Sequence, residues 1–218
     1  MQLQEAVIVY LFLVISLSLH GWAQAWWATQ RGDQTARMDG RLTLNPVAHW
    51  DPLGMAFFPI LLLGLHVMAG QGAGLIFGWC RPPSMDTSQF NKPARDEILS
   101  SLAGPFSNLL VCFAVSFVSG FLLPWVPRLD ELVVPVLLVN LSLFVLHILP
   151  IPPLAGGPML RHLARMSDEA YLNLSRWGFL IFIVVVNVPP TRRILYGLLF
   201  MLYNLCARLQ EFTLSIVT

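Results

Sequence analysis

Residues 19–24 read LHGWAQ and lie inside the first apolar run of the chain. A histidine about halfway through a hydrophobic helix is costly unless it has a partner or a task. His20 and Gln24 are four positions apart and share one face of a helix. The HExxH motif holds its two zinc-binding histidines at that spacing. Only the first histidine is present here: Gly21 stands where the motif has its glutamate, and Gln24 stands where it has its second histidine.

The surroundings of that stretch set the class of protein. The chain has 218 residues, 56% hydrophobic and 11% charged, with a mean hydropathy of +0.67. A soluble core of this size does not need so much apolar surface, and too few charges remain to coat one. The sequence therefore reads as an integral membrane protein whose first partner is the lipid bilayer. Net charge is +1 with no basic block, which excludes nucleic acid and polybasic lipid capture as expected partners. Cys80, Cys112 and Cys206 are too scattered for a CxxC metal pair and too few for an even disulfide framework, so they read as buried small residues. Ala23-Gln24-Ala25 resembles a signal-peptide cleavage site. No Lys or Arg precedes the apolar run, so it is expected to be a retained span.

Apolar runs of roughly 18 to 25 residues are long enough to cross a hydrocarbon core. About six such runs are expected, near 6–28, 53–77, 98–126, 132–150, 172–188 and 193–208. The first ends in Trp22, Trp26 and Trp27, which suit either an interfacial belt or helix packing. Between the first two runs, RGDQTARMDGRLTLNPVAHWDPLG (31–54) is too broken for a helix and too apolar at its end for a solvated loop. Its short run Arg41 to Leu44 leads to the expectation of a re-entrant, β-like hairpin covered by protein or a water-filled cavity. His66 in the second run reads as a packing or interfacial residue. In the fourth run Pro150, Pro152, Pro153, Gly156 and Gly157 break the helix. An interrupted helix end at membrane depth commonly lines a site, and His147 lies one turn before it. Asn108 and Asn140 offer amides within the third and fourth runs, and His49 one imidazole in the hairpin. The last two runs lack an ionisable residue at mid-depth and read as scaffold. The fold class expected is an all-α polytopic membrane protein, one membrane-embedded domain over 1–218 with a C-terminal helical pair near 170–210.

Four stretches in this order, LHGWAQAWWA, GDQTARMDGRLTLNPVAHWDPLG, AGPFSN and LPIPPLAGG, resemble the compact bacterial branch of the site-2 protease family of intramembrane zinc metalloproteases. The resemblance covers about 10–165. It implies a bacterial plasma-membrane location, and a zinc site built from HExxH on a membrane helix and the aspartate of a proline-rich LDG. By that resemblance His20 matches the first ligand histidine, Gly21 the catalytic glutamate, Gln24 the second histidine and Ala155 the ligand aspartate. It assigns LNPVAHWDPLG a structural and substrate-guiding role, so Asp51 is not expected to act as a base. Where the family usually has an asparagine, in FNLLP, this chain has His147 in LHILP.

A catalytic zinc needs about three protein ligands and an open position, and hydrolysis needs a base for its water. Gly21 and Ala155 supply neither, and Gln24 offers a neutral amide. All twelve Asp and Glu residues lie at the N-terminal end, in loops, at span boundaries or in the tail. The expectation is a catalytically inactive pseudoprotease that binds a transmembrane segment or membrane partner and has no cofactor. Zinc returns only if the site is rebuilt from His20, Gln24, His49 and His147, which would make the protein an active metalloprotease. A third, weaker reading is a small transport or channel subunit.

Overall fold

The computed structural model describes residues 2–70 and 75–217. Its regular structure is helical, with no strand among the described residues. The first helix, α1 (Leu3–Gln30), starts where the Glu5 carboxylate accepts the Gln2 amide. Its 28 residues reach about 42 Å at a rise of 1.5 Å each, enough to cross a bilayer at a tilt. Short α2 (Thr35–Met38) follows, then α3 (Phe58–Met68), α4 (Pro93–Leu122), α5 (Asp130–His147), α6 (Gly157–Leu163), α7 (Asp168–Asn187) and α8 (Pro189–Val217). Four of these, α1, α4, α5 and α7, are long and apolar enough to span a membrane.

Two expected spans differ from what forms. The run at 53–77 gives a shorter apolar helix, Pro52–Met68, made of π-helical turns that continue into α3, and it stops before Gly70 at a positive φ. The glycine-rich stretch that follows falls partly at 71–74, outside the described residues, and 75–83 is extended rather than helical. The run at 193–208 lies within α8, a longer helix whose Arg192, Arg193, Arg208 and Glu211 dilute its apolar character.

The β-like hairpin does not form. Arg41–Leu44 has no strand structure, and the chain after it turns in short helical pieces at Pro46–His49 and Pro52–Phe57. Proline in the first turn of each and an Asx cap explain this: Asn45 Oδ1 accepts from the Val47 amide at 3.0 Å, and Asp51 Oδ1 from Leu53 and Gly54 at 3.0 and 2.7 Å. The segment ends against the extended 75–83 stretch, where the Trp79 amide donates to the Gly54 carbonyl at 3.1 Å and Arg81 to His49 at 3.0 Å.

The bundle is organised on α4, which packs along α1, α5 and α8. The last two turns of α5 are buried from Val139 to His147. Leu137, Leu141, Phe144 and Val145 join Phe182 of α7 and Leu195, Leu202 and Cys206 of α8 in one apolar core. Gly120 of α4 lies so close to Thr213 of α8 that a side chain there would overlap the hydroxyl, the close helix approach that small residues permit in membranes.

Candidate functional site

One face of α4 meets one face of α1, and the AGPFSN stretch explains how. Pro105 has no N–H, so the carbonyl of Ser101, four residues earlier, loses its helical partner. The Gln24 side chain supplies the donor instead, its amide reaching the Ser101 carbonyl at 2.8 Å. One turn along, the His20 ring rests on Gly104, where a Cβ would overlap its Nε2 edge. A turn further, Asn108 donates its amide to His20 Nδ1 at 3.2 Å. Helix α4 therefore occupies Nδ1 of His20 through Asn108, and bare Gly104 leaves the room the ring needs.

The break after α5 brings the remaining positions to the same place. Pro150 and the prolines after it end the helix, and the Gly156 amide turns back to donate to the His147 carbonyl at 2.8 Å. Ala155 thereby returns beside His147. The His147 ring stands 4.8 Å from the His20 ring, centroid to centroid, and its Nδ1 donates to the Leu143 carbonyl at 2.9 Å. His20, Gln24, His147 and Ala155 all line one cavity of about 350 Å³.

His49, Asn108, Asn140 and His66 are not among the residues that line that cavity. His49 is buried on the far side of α1. Its Nε2 donates to the Thr43 carbonyl at 2.7 Å, and its Nδ1 has no partner and lies 2.5 Å from the point a Cβ on Gly21 would occupy. Burial lowers the His49 pKa from its ordinary value, partly opposed by the bond to Thr43. Asn140 is buried on α5 and donates to the Val136 carbonyl at 2.9 Å. His66 Nδ1 bonds the Leu62 carbonyl on its own helix.

The walls come from elements that read as scaffold or loop in the sequence. Helix α7 contributes Tyr171, Phe179 and Phe182, and the extended stretch contributes Phe77, Trp79 and Cys80. Phe77 stacks on Phe182 at 4.2 Å. At the rim, Glu97 of α4 accepts from Arg161 at 3.0 Å and from His162 at 2.7 Å, tying α6 to α4. Arg161 also pairs with Asp168 and lies over the Tyr171 ring at 5.5 Å. No periodicity announces these contacts; the pairing of Glu97 with His162 spans 65 positions.

A zinc of the HExxH type does not fit this donor set. Nδ1 of His20 is taken by Asn108, Gln24 spends its side-chain N–H on Ser101 and keeps only a neutral amide oxygen, and Ala155 offers a methyl group. Burial pushes the Cys80 thiol up to about 12, so it is a neutral thiol at the wall of the cavity. No Asp, Glu, Lys or Arg lines the cavity among the described residues.

A membrane helix bearing His20, a broken helix returning a loop to it, and the AGPFSN helix between them define the scaffold of an intramembrane metalloprotease. Comparison with known proteins places the chain within that class. It is 34% identical to "Putative zinc metalloprotease YwhC" of Bacillus subtilis, over 86% of this chain and 83% of that protein. It is 28% identical to proteins named "Putative zinc metalloprotease Rip2" from Mycolicibacterium smegmatis and Mycobacterium tuberculosis, over 88% of this chain and 71% of each. The chain belongs to the site-2 protease family. No family model matches it, and no solved structure does.

Proposed function

We propose that this protein is a catalytically silent site-2 protease homologue, a pseudoprotease that binds a transmembrane segment or membrane partner without cutting it. The observation that carries this reading is the chemistry of the lining. The positions that match the ligands and base of the family by resemblance carry Gly21, Gln24 and Ala155, the cavity has no carboxylate among the described residues that line it, and water activation needs a base. The proposal takes the whole chain as one unit in a bacterial plasma membrane, with α3 and α8 completing about six passages through or into the bilayer. Purified protein in detergent is expected to contain far less than one zinc per chain and to leave membrane substrates intact. Stoichiometric zinc with chelator-sensitive cleavage overturns the proposal.

A second reading, an active enzyme with zinc on a nonstandard set, draws on the 4.8 Å separation of the His20 and His147 rings. Two imidazoles sharing one metal with Zn–N distances near 2.0 Å stand about that far apart. It predicts metal that disappears in His147→Ala, and unchanged metal in that variant sinks it.

A further inference from the structure

The cavity combines three properties that together specify a ligand. Its size, about 350 Å³, lies in the range of sites that engulf a small ligand or a large side chain. Its lining carries no charged residue among those described, so a Lys, Arg, Asp or Glu side chain would enter without a counter-ion, at a prohibitive desolvation cost. Its walls are aromatic: Phe77, Trp79, Phe179 and Phe182 form one connected set, with ring separations of 5.4 Å between Phe77 and Trp79 and 5.6 Å between Trp79 and Phe179. Such walls favour a planar ring in tilted or offset contact.

Among the polar groups of the lining, which include Ser101, Tyr171 and Ser175, His147 presents an acceptor beside the aromatic wall. Nδ1 of His20 is occupied by Asn108, and the side-chain N–H of Gln24 by the Ser101 carbonyl. His147 donates through Nδ1 to Leu143, which leaves Nε2 of the neutral ring as an acceptor; no hydrogen bond to it forms among the described residues. Phe77 lies over the same ring at 6.4 Å. An acceptor at the end of an aromatic slot is complemented by an aromatic ring with a hydroxyl.

We propose that the cavity takes the phenol ring of a tyrosine in a membrane-embedded segment, its hydroxyl donating to Nε2 of His147. This rests on the partner-binding reading above and names the side chain that binding selects. A phenylalanine fills the same space but leaves the His147 acceptor unpaired.

The test uses the full chain in lipid nanodiscs and three Lys-flanked polyleucine helices that differ at one central position: tyrosine, phenylalanine or 4-methoxyphenylalanine. The tyrosine helix is expected to bind about 5- to 10-fold tighter than the other two, the worth of one buried hydrogen bond. The preference should vanish in His147→Leu and survive in part in His147→Gln, whose amide oxygen is again an acceptor. Equal binding of all three helices to the wild-type protein overturns this inference while leaving the partner-binding proposal standing. So does a tyrosine preference that persists in His147→Leu. Binding of none of them overturns both.

Discussion

The side-chain amide of Gln24 donates to the carbonyl of Ser101 at 2.8 Å, and that carbonyl is the one Pro105 leaves without a helical partner. Gln24 is thus repairing a neighbouring helix. Gln24→Met removes the donor and strands a buried carbonyl, at a cost of about 1–3 kcal/mol. In a Pro105→Ala background the helix supplies its own N–H, and the cost of Gln24→Met should fall to a few tenths of a kcal/mol. A thermal-unfolding cycle in detergent over the four proteins measures the coupling. Additive effects would mean that Gln24 does not serve the proline gap.

His49 gives the fold a pH dependence. Burial holds its pKa below the ordinary histidine value near 6.5, so the unfolded chain takes up its proton at a higher pH than the folded one. Between the two values the unfolded state binds more protons, and stability falls as pH drops. The share contributed by His49 is complete above about pH 6.5 and declines below it. His49→Gln keeps a donor for the Thr43 carbonyl without that titration. Its melting temperature should therefore decline less than that of the wild type between pH 7.5 and 5, and parallel decline in the two proteins would refute the assignment.

How much of this was legible in the sequence depends on the range of the interaction. The four helices long and apolar enough to span announce themselves because twenty apolar residues have few alternatives in lipid. The meeting of His20, Gln24, His147 and Ala155 followed from ordered motifs, each local. The hairpin was misread because Arg41–Leu44 looks β-like by composition, whereas Asn45-Pro46 and Asp51-Pro52 carry Asx-cap and proline chemistry that decides the backbone. The aromatic wall from α7 was illegible, since Phe179 and Phe182 look like any lipid-facing pair until Phe77 and Trp79 arrive from about a hundred positions away. The role of Gly21 as the seat for His49 was equally hidden, because a long-range contact leaves no local pattern.

Two glycines on the C-terminal helices should respond oppositely to the same change. A methyl group on Gly178 would overlap the carbonyl oxygen of Pro152, so α7 can lie against the broken segment only while that position is bare. Gly178→Ala should destabilise by about 1–3 kcal/mol, the cost of overpacking, and loosen the aromatic wall. Gly197 on α8 has nothing within 4 Å of its would-be Cβ, and Gly197→Ala should stabilise by up to about 1 kcal/mol through helix propensity. Unfolding midpoints of the two variants check both signs, and a tolerated Gly178→Ala would show that α7 does not bear on the break.

The proposal that the site is silent also predicts what a zinc site around His20 would take. Gln24 and Ala155 already line the cavity with His20, so Gln24→His with Ala155→Asp places two further donors on the same wall and brings the set to the three protein ligands of a catalytic zinc. That double variant should bind about one zinc per chain without gaining hydrolysis, because Gly21 still provides no base. Adding Gly21→Glu meets His49, whose Nδ1 lies 2.5 Å from the would-be Cβ. The imidazole must shift and take a proton to face the new carboxylate, so the triple variant should show His49 titrating at higher pH than in the parent by NMR. Cleavage of a membrane substrate by the triple variant and not by the double would assign the lost activity to the missing base. Failure of the double variant to take up zinc would mean that the break after α5 no longer holds Ala155 in ligand geometry, and that the scaffold as well as its side chains has left metal chemistry behind.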